Sequence, residues 1–120
     1  MEPGGYVTTH VLDTSLGKPA AGLTIEVYKL DGGMRTLIGS VTTNADGRTD
    51  RPVIAGGDIA EAVYELVFHV GEYLNYTQGR TDRVRFLDIV PIRFGVSDAS
   101  QHYHVPLLLS PFGYSTYRGS

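Results

Sequence analysis

Leu23-Thr24-Ile25-Glu26-Val27-Tyr28-Lys29-Leu30 runs directly into Asp31-Gly32-Gly33, and this stretch decides the fold class. Leu23, Ile25 and Val27 alternate with Thr24, Glu26 and Tyr28, which is the two-residue period of a strand with one apolar and one polar face. Asp31-Gly32-Gly33 supplies residues that tolerate left-handed backbone angles, so the strand ends in a hairpin turn. Residues 36–43 return as a partner strand, and Asn44-Ala45-Asp46-Gly47 forms the next turn, with Arg48 immediately behind it. On the N-terminal side, Tyr6–Asp13 is rich in β-branched residues and closes on the turn Ser15-Leu16-Gly17-Lys18-Pro19. On the C-terminal side, residues 62–70, 88–96 and 103–109 read as further strands, each bounded by Gly, Pro, Asp or Ser. Pro91 and Pro106 inside two of them place those strands at a sheet edge or mark a break in the ladder. A short helix is expected only over residues 71–78. Residues 79–85, with Arg80, Arg83 and Arg85, read as a solvated cationic connection. The expectation is an all-β, two-sheet sandwich or a barrel of seven or eight strands with one short helix.

The length of 120 residues suits a single domain over residues 1–120, with residues 1–5 expected to be flexible. At 42% apolar and 19% charged residues, the chain is too hydrophobic to be disordered throughout. Ten Lys and Arg against thirteen Asp and Glu give a net charge of −3, so neither nucleic acid nor an anionic membrane is an expected partner. No apolar run is long enough to span a bilayer, and residues 1–5 lack the pattern of a secretory signal, so a cytoplasmic setting is expected. Zero cysteines exclude a disulfide framework, a thiol nucleophile and Cys-ligated metal. Chemistry therefore falls to His, Arg, Tyr, Ser and carboxylates.

His10 lies mid-strand, and if Thr9, Val11 and Asp13 face the core then its imidazole stands on the opposite sheet face. His102 and His104 share a strand face at i and i+2, a spacing that admits zinc only if a third ligand is nearby. No such ligand is evident, and no metal or other cofactor is expected. His69 reads as structural. Arg48 follows a tight turn, where a guanidinium is most often simply solvated. Gly4-Gly5 and Gly56-Gly57 match no phosphate-cradling motif, and Ser110 and Ser115 lack the nucleophile elbow of a serine hydrolase. Tyr114-Ser115-Thr116-Tyr117-Arg118-Gly119-Ser120 follows an apolar strand directly and is rich in recognition side chains, so this tail is expected to be ordered.

Three segments together carry a resemblance. They are Thr8-Thr9-His10-Val11-Leu12-Asp13 with Gly17-Lys18-Pro19-Ala20, then Thr43-Asn44-Ala45-Asp46-Gly47-Arg48, then residues 102–111 from His102-Tyr103-His104-Val105-Pro106 into Tyr117-Arg118-Gly119-Ser120. Across nearly the whole chain the sequence resembles the 5-hydroxyisourate hydrolase family of transthyretin-related proteins. The resemblance implies a transthyretin-like sandwich, a homotetramer and a site at the dimer–dimer interface. It also implies His10, Arg48 and His104 as catalytic residues, with Tyr117 and Ser120 joining His10 and Arg48 in binding the substrate. The implied reaction is metal-independent hydrolysis of the six-membered ring of 5-hydroxyisourate to 2-oxo-4-hydroxy-4-carboxy-5-ureidoimidazoline. One imidazole would take a proton and the other return one, and Arg48 would hold the oxyanion. Two other classes compete: a transthyretin-type carrier of a small apolar ligand, and a structural sandwich without chemistry. The polar set argues against the first, and an ordered Tyr-Arg-Gly-Ser tail has no use in the second.

Overall fold

The computed structural model describes residues 4–80 and 84–120. Two four-stranded sheets face each other. One has the order β2-β1-β7-β8, from β1 (Tyr6–Asp13), β2 (Lys18–Pro19), β7 (His102–Ser110) and β8 (Gly113–Thr116). The other has the order β4-β3-β5-β6, from β3 (Thr24–Asp31), β4 (Met34–Thr42), β5 (Ala62–His69) and β6 (Ile89–Val96). A single helix among the described residues, α1 (Val70–Gln78), follows β5 without a break. None of the described helices is long and apolar enough to cross a membrane.

The sequence alternation becomes burial. Ile25 and Val27 of β3, Leu66 and Phe68 of β5, Val7 and Val11 of β1, and Leu107 and Leu109 of β7 are all essentially water-free between the sheets. At roughly 1.5–3 kcal/mol for each large apolar side chain removed from water, this layer dominates the stabilisation. β1 alternates strictly, so that Val7, Thr9, Val11 and Asp13 face inward while Tyr6, Thr8, His10 and Leu12 line the outer face. β1 pairs with β7 in parallel, matching Tyr6 to His102, Thr8 to His104 and His10 to Pro106.

The two prolines have different explanations. Pro91 lies in β6, an edge strand, where a missing N–H costs no ladder bond on the open side. Pro106 lies in β7, between two neighbours. The β7–β8 ladder ends at Leu107↔Thr116 and resumes as a single bridge at His104↔Gly119, so Pro106 and Tyr117 stand opposite each other at the interruption. The Thr116 hydroxyl donates to the Pro106 carbonyl at 2.7 Å and holds the strands together there.

One sequence expectation needs correction. Arg85 is not a solvated residue of the connection: its guanidinium donates to the Asn75 side-chain oxygen at 2.8 Å and to the Leu74 carbonyl at 3.2 Å. It thereby satisfies acceptors in the last turn of α1, whose C-cap Gly79 takes a left-handed φ of 65°. Arg83 falls outside the described residues, as do Met1, Glu2 and Pro3 of the stretch expected to be flexible. Gly5 of that stretch is buried, and its N–H donates to the Ala99 carbonyl at 2.7 Å.

Among the described residues, Asp13 is the one buried carboxylate facing between the sheets. It accepts from the Tyr73 hydroxyl at 2.7 Å, the Ser15 hydroxyl at 2.7 Å and the N–H groups of Ser15 and Leu16, so it joins β1, the following turn and α1. Burial alone would raise its pKa, but these donors outweigh burial and hold it below the ordinary value of 3.8. A depressed folded pKa contributes stability above the unfolded value, and that stability is lost as pH falls through the folded one. Tyr73→Phe should therefore cost about 1–3 kcal/mol near neutral pH, the range for leaving a buried acceptor short of its donor. The difference from wild type should shrink in acid below the ordinary aspartate range. Thermal melts of both proteins across pH test this, and a gap that stays constant into acid would contradict it.

Candidate active site

The outer face of the β1–β7 pair carries three histidines in adjacent rows. Tyr6 and His102 form the first row, and their rings stack 4.3 Å apart at 13°. Thr8 and His104 form the second, with Gly119 of the tail beyond His104. His10 and Pro106 form the third, with Tyr117 across from Pro106. The face that the β1 alternation assigns to His10 is thus also the face of His102 and His104.

Arg48 arrives from a different part of the chain. The Asn44 side-chain oxygen accepts the N–H groups of Asp46 and Arg48 at 2.9 and 3.2 Å, closing the turn. Gly47 has φ 72°, and a Cβ there would come within 2.4 Å of the Val11 carbonyl oxygen. Its own carbonyl accepts the Val11 N–H at 2.8 Å, which docks the turn onto β1 and fixes where Arg48 emerges. Only glycine combines that φ with so close an approach.

Arg48, His102, His104, Thr8, Tyr6 and Ser120 line one cleft of about 330 Å³ on this face. The sequence-derived set is therefore partly assembled within one chain. Arg48, His104 and Ser120 share the cleft, and His10 is near enough for its charge to act on His104. Tyr117 lies apart from the cleft, strongly exposed, along a groove of about 350 Å³ between β6 and β8 that Phe94 and Arg118 also line. That second groove has no histidine in its lining.

Burial, then the positive charge of Arg48 and electrostatic coupling to His102 and His10, hold the His104 pKa below its ordinary value of 6.5. His104 is therefore a neutral imidazole at neutral pH, able to accept a proton. The tail makes this placement possible. The Gly119 N–H donates to the His104 carbonyl at 2.8 Å, and a Cβ on Gly119 would meet the imidazole Cδ2 at 2.5 Å and Cγ at 3.2 Å. Gly119 is thus the tail residue that must lack a side chain.

Two site neighbours escaped the sequence reading. Thr8 lies within hydrogen-bonding distance of His102 Nε2 at 2.6 Å and of His104 Nδ1 at 2.8 Å, and Tyr6 covers His102. The pairing of β1 with β7 creates both contacts, and no local pattern in either strand announces it. His69, read as structural, pairs with Glu26 at 3.1 Å on the other sheet.

Comparison with known proteins identifies the family of the chain. Residues 7–119 match the model of the HIUase/Transthyretin family. The chain belongs to that family. Among its relatives is the protein named 5-hydroxyisourate hydrolase 2 from Rhizobium meliloti, 56% identical over 120 residues and covering all of both chains. Among solved structures, (S)-allantoin synthase superposes with a TM-score of 0.89 at 43% identity, over 99% of this chain and 45% of that one. The present chain thus spans less than half of that protein. Transthyretin from Sparus aurata superposes with a TM-score of 0.82 at 28% identity, over 94% and 95% of the two chains. The transthyretin-like sandwich expected from the sequence is therefore the fold of this family member.

Among the described residues, no three side chains of His, Asp or Glu converge as metal ligands. Arg48 beside His104 also makes the cleft cationic, which disfavours a divalent ion. Turnover should be the same before and after exhaustive chelation. Activity lost with EDTA and restored by zinc would contradict this.

Proposed function

We propose that this hydrolase acts in the cytoplasm on 5-hydroxyisourate, opening its six-membered ring to 2-oxo-4-hydroxy-4-carboxy-5-ureidoimidazoline. The observation that carries the reading is the single cleft holding Arg48, His104 and Ser120 beside His10, in a chain whose relatives bear the hydrolase name. The lowered pKa of His104 suits it to the general base, taking a proton from water as the water oxygen adds to the ring carbonyl. Arg48 offers forked donors to the planar urea and imide oxygens and to the oxyanion that develops. His10 supplies the proton that lets the ring nitrogen leave. Ser120 hydrogen-bonds the substrate at the cleft end.

The same proposal includes a homotetramer with its sites at the dimer–dimer interface. His10 stands on the outer sheet face and Tyr117 is exposed along the groove between β6 and β8, both outside the cleft of one chain, and a partner packed against them would enclose them with the substrate. Tyr117 then forms a wall of the channel. A carrier of apolar ligands would gain nothing from a cationic, imidazole-lined cleft, since each polar group costs desolvation when such a ligand binds. Hydrolysis in heavy-oxygen water tests the chemistry: mass spectrometry should find one labelled oxygen, in the new carboxylate of the product. Unlabelled product, or label elsewhere, would overturn the assignment.

A further inference from the structure

Thr8 carries one hydroxyl proton yet lies within hydrogen-bonding distance of two imidazole nitrogens, His102 Nε2 at 2.6 Å and His104 Nδ1 at 2.8 Å. A hydroxyl has one proton to donate and two lone pairs that accept, so Thr8 can accept an N–H from one ring while donating its own proton to the lone pair of the other. With one hydrogen bond donated and one accepted, the two rings take complementary tautomers through one oxygen. Their centroids are 6.2 Å apart at 55°, too far apart and too tilted for direct contact between the ring nitrogens, so the hydroxyl is the link.

We infer that Thr8 is a positioning residue that sets the tautomer of His104 and relays its proton to His102. The inference rests on the proposed hydrolase reading and deepens it. In the resting arrangement His104 Nδ1–H donates to Thr8 Oγ1, Thr8 donates to His102 Nε2, and His104 Nε2 keeps its lone pair for water. When water attacks, its O–H bond breaks and that proton goes to His104 Nε2, while the oxygen bonds to the carbonyl carbon and the carbonyl electron pair moves onto its oxygen. The His104 Nδ1 proton passes to Thr8 Oγ1 as the Thr8 proton passes to His102 Nε2. His104 ends neutral in its other tautomer and His102 ends as imidazolium, so the proton count balances. On release His102 Nε2–H passes its proton back to Thr8 Oγ1 as the Thr8 proton passes to His104 Nδ1, and the proton on His104 Nε2 leaves to solvent, which restores both hydrogen bonds and the free Nε2 lone pair.

The surroundings favour this direction. Arg48 from the turn after β4, His10 from β1 and His102 from β7 all oppose a charge on His104, and Ser120 of the tail lines the same space. His102 instead lies flat against the Tyr6 ring at 4.3 Å, where an aromatic face attracts a cation. The relay moves charge from the ring pressed by Arg48 to the ring resting on Tyr6.

Thr8→Val removes the hydroxyl at nearly constant volume, and Thr8→Ser retains it; Thr8 is only half-buried on the outer face, so both variants should fold. Long-range proton–nitrogen NMR of labelled histidines should show His104 as the Nδ1–H tautomer in wild type and Thr8→Ser, and a shifted tautomer balance in Thr8→Val. In the hydrolysis assay Thr8→Val should lower kcat by about tenfold or more with KM little changed, the scale expected on losing a hydrogen bond to a group that becomes charged. The acid limb of its pH profile should move, and Thr8→Ser should restore both. His102→Phe should lose as much, and combining it with Thr8→Val should add little, as expected for one coupled unit. Wild-type tautomer and pH profile in Thr8→Val would overturn the relay even in an active hydrolase. The NMR result standing while wild type leaves 5-hydroxyisourate untouched would overturn the substrate and the relay step but not the tautomer lock.

Discussion

Replacing His104 by alanine is expected to lower turnover by about 10²-fold or more, the usual contribution of a positioned acid or base. His10→Ala should cost a similar factor, and Arg48→Gln about 10²–10³-fold, the scale of losing one oxyanion donor. His10 and His104 stand outside the sandwich core, half-buried on the outer sheet face, so thermal melts should shift little. The pH dependence has a definite sign. His104 works as a base only when neutral, and its pKa lies below 6.5, so wild-type kcat/KM should hold as pH drops past 6.5 and fall only as pH passes through the lower value. Full turnover in either histidine variant would remove that residue from the mechanism. An acid limb above 6.5 would contradict the assignment of His104.

The second large effect concerns the tail. Gly119→Ala places a methyl group where the His104 ring already lies, at 2.5 Å from Cδ2. No rotation of the new methyl relieves this, because a Cβ has no freedom about the backbone; either the tail strand lifts or the imidazole turns away. Turning the ring breaks the 2.8 Å contact of His104 Nδ1 with Thr8 and misaims the proton acceptor. A displacement of this size at a reacting group is expected to cost about 10²-fold in kcat. The fold should survive, since Gly119 lies beyond β8 and only one backbone hydrogen bond ties it to β7. Deleting residues 117–120 should abolish activity with the sandwich intact by circular dichroism. If the proposed interface is right, light scattering should report a tetramer for the intact protein. A folded, fully active Gly119→Ala protein would show that the tail does not constrain the imidazole.

How far the molecule could be read from sequence depended on whether the signal was local. Alternation in residues 6–13 is local, and it placed His10 on the face opposite Thr9, Val11 and Asp13, where it stands. The turn Asn44-Ala45-Asp46-Gly47 is local too, and its chemistry located Arg48. The parallel pairing of β1 with β7 joins residues more than ninety positions apart, and a one-residue change of register would put Thr8 beyond reach of both imidazoles. Sequence therefore left His102 and His104 as a co-facial pair and gave Thr8 no part. Gly119 was legible only as part of a motif, because close approach to a ring is invisible until the ring is placed. Arg85 looked solvated amid other charges since its acceptors, the Leu74 carbonyl and the Asn75 side chain, come free only where α1 ends.

The most direct measurement adds the purified chain to freshly generated 5-hydroxyisourate and follows the ultraviolet absorbance of the substrate against its spontaneous decay, with His104→Ala in parallel. The account predicts decay accelerated in proportion to wild-type protein concentration and nearly spontaneous decay with the variant. Decay at the spontaneous rate with folded wild-type protein, or equal acceleration by the variant, would contradict it.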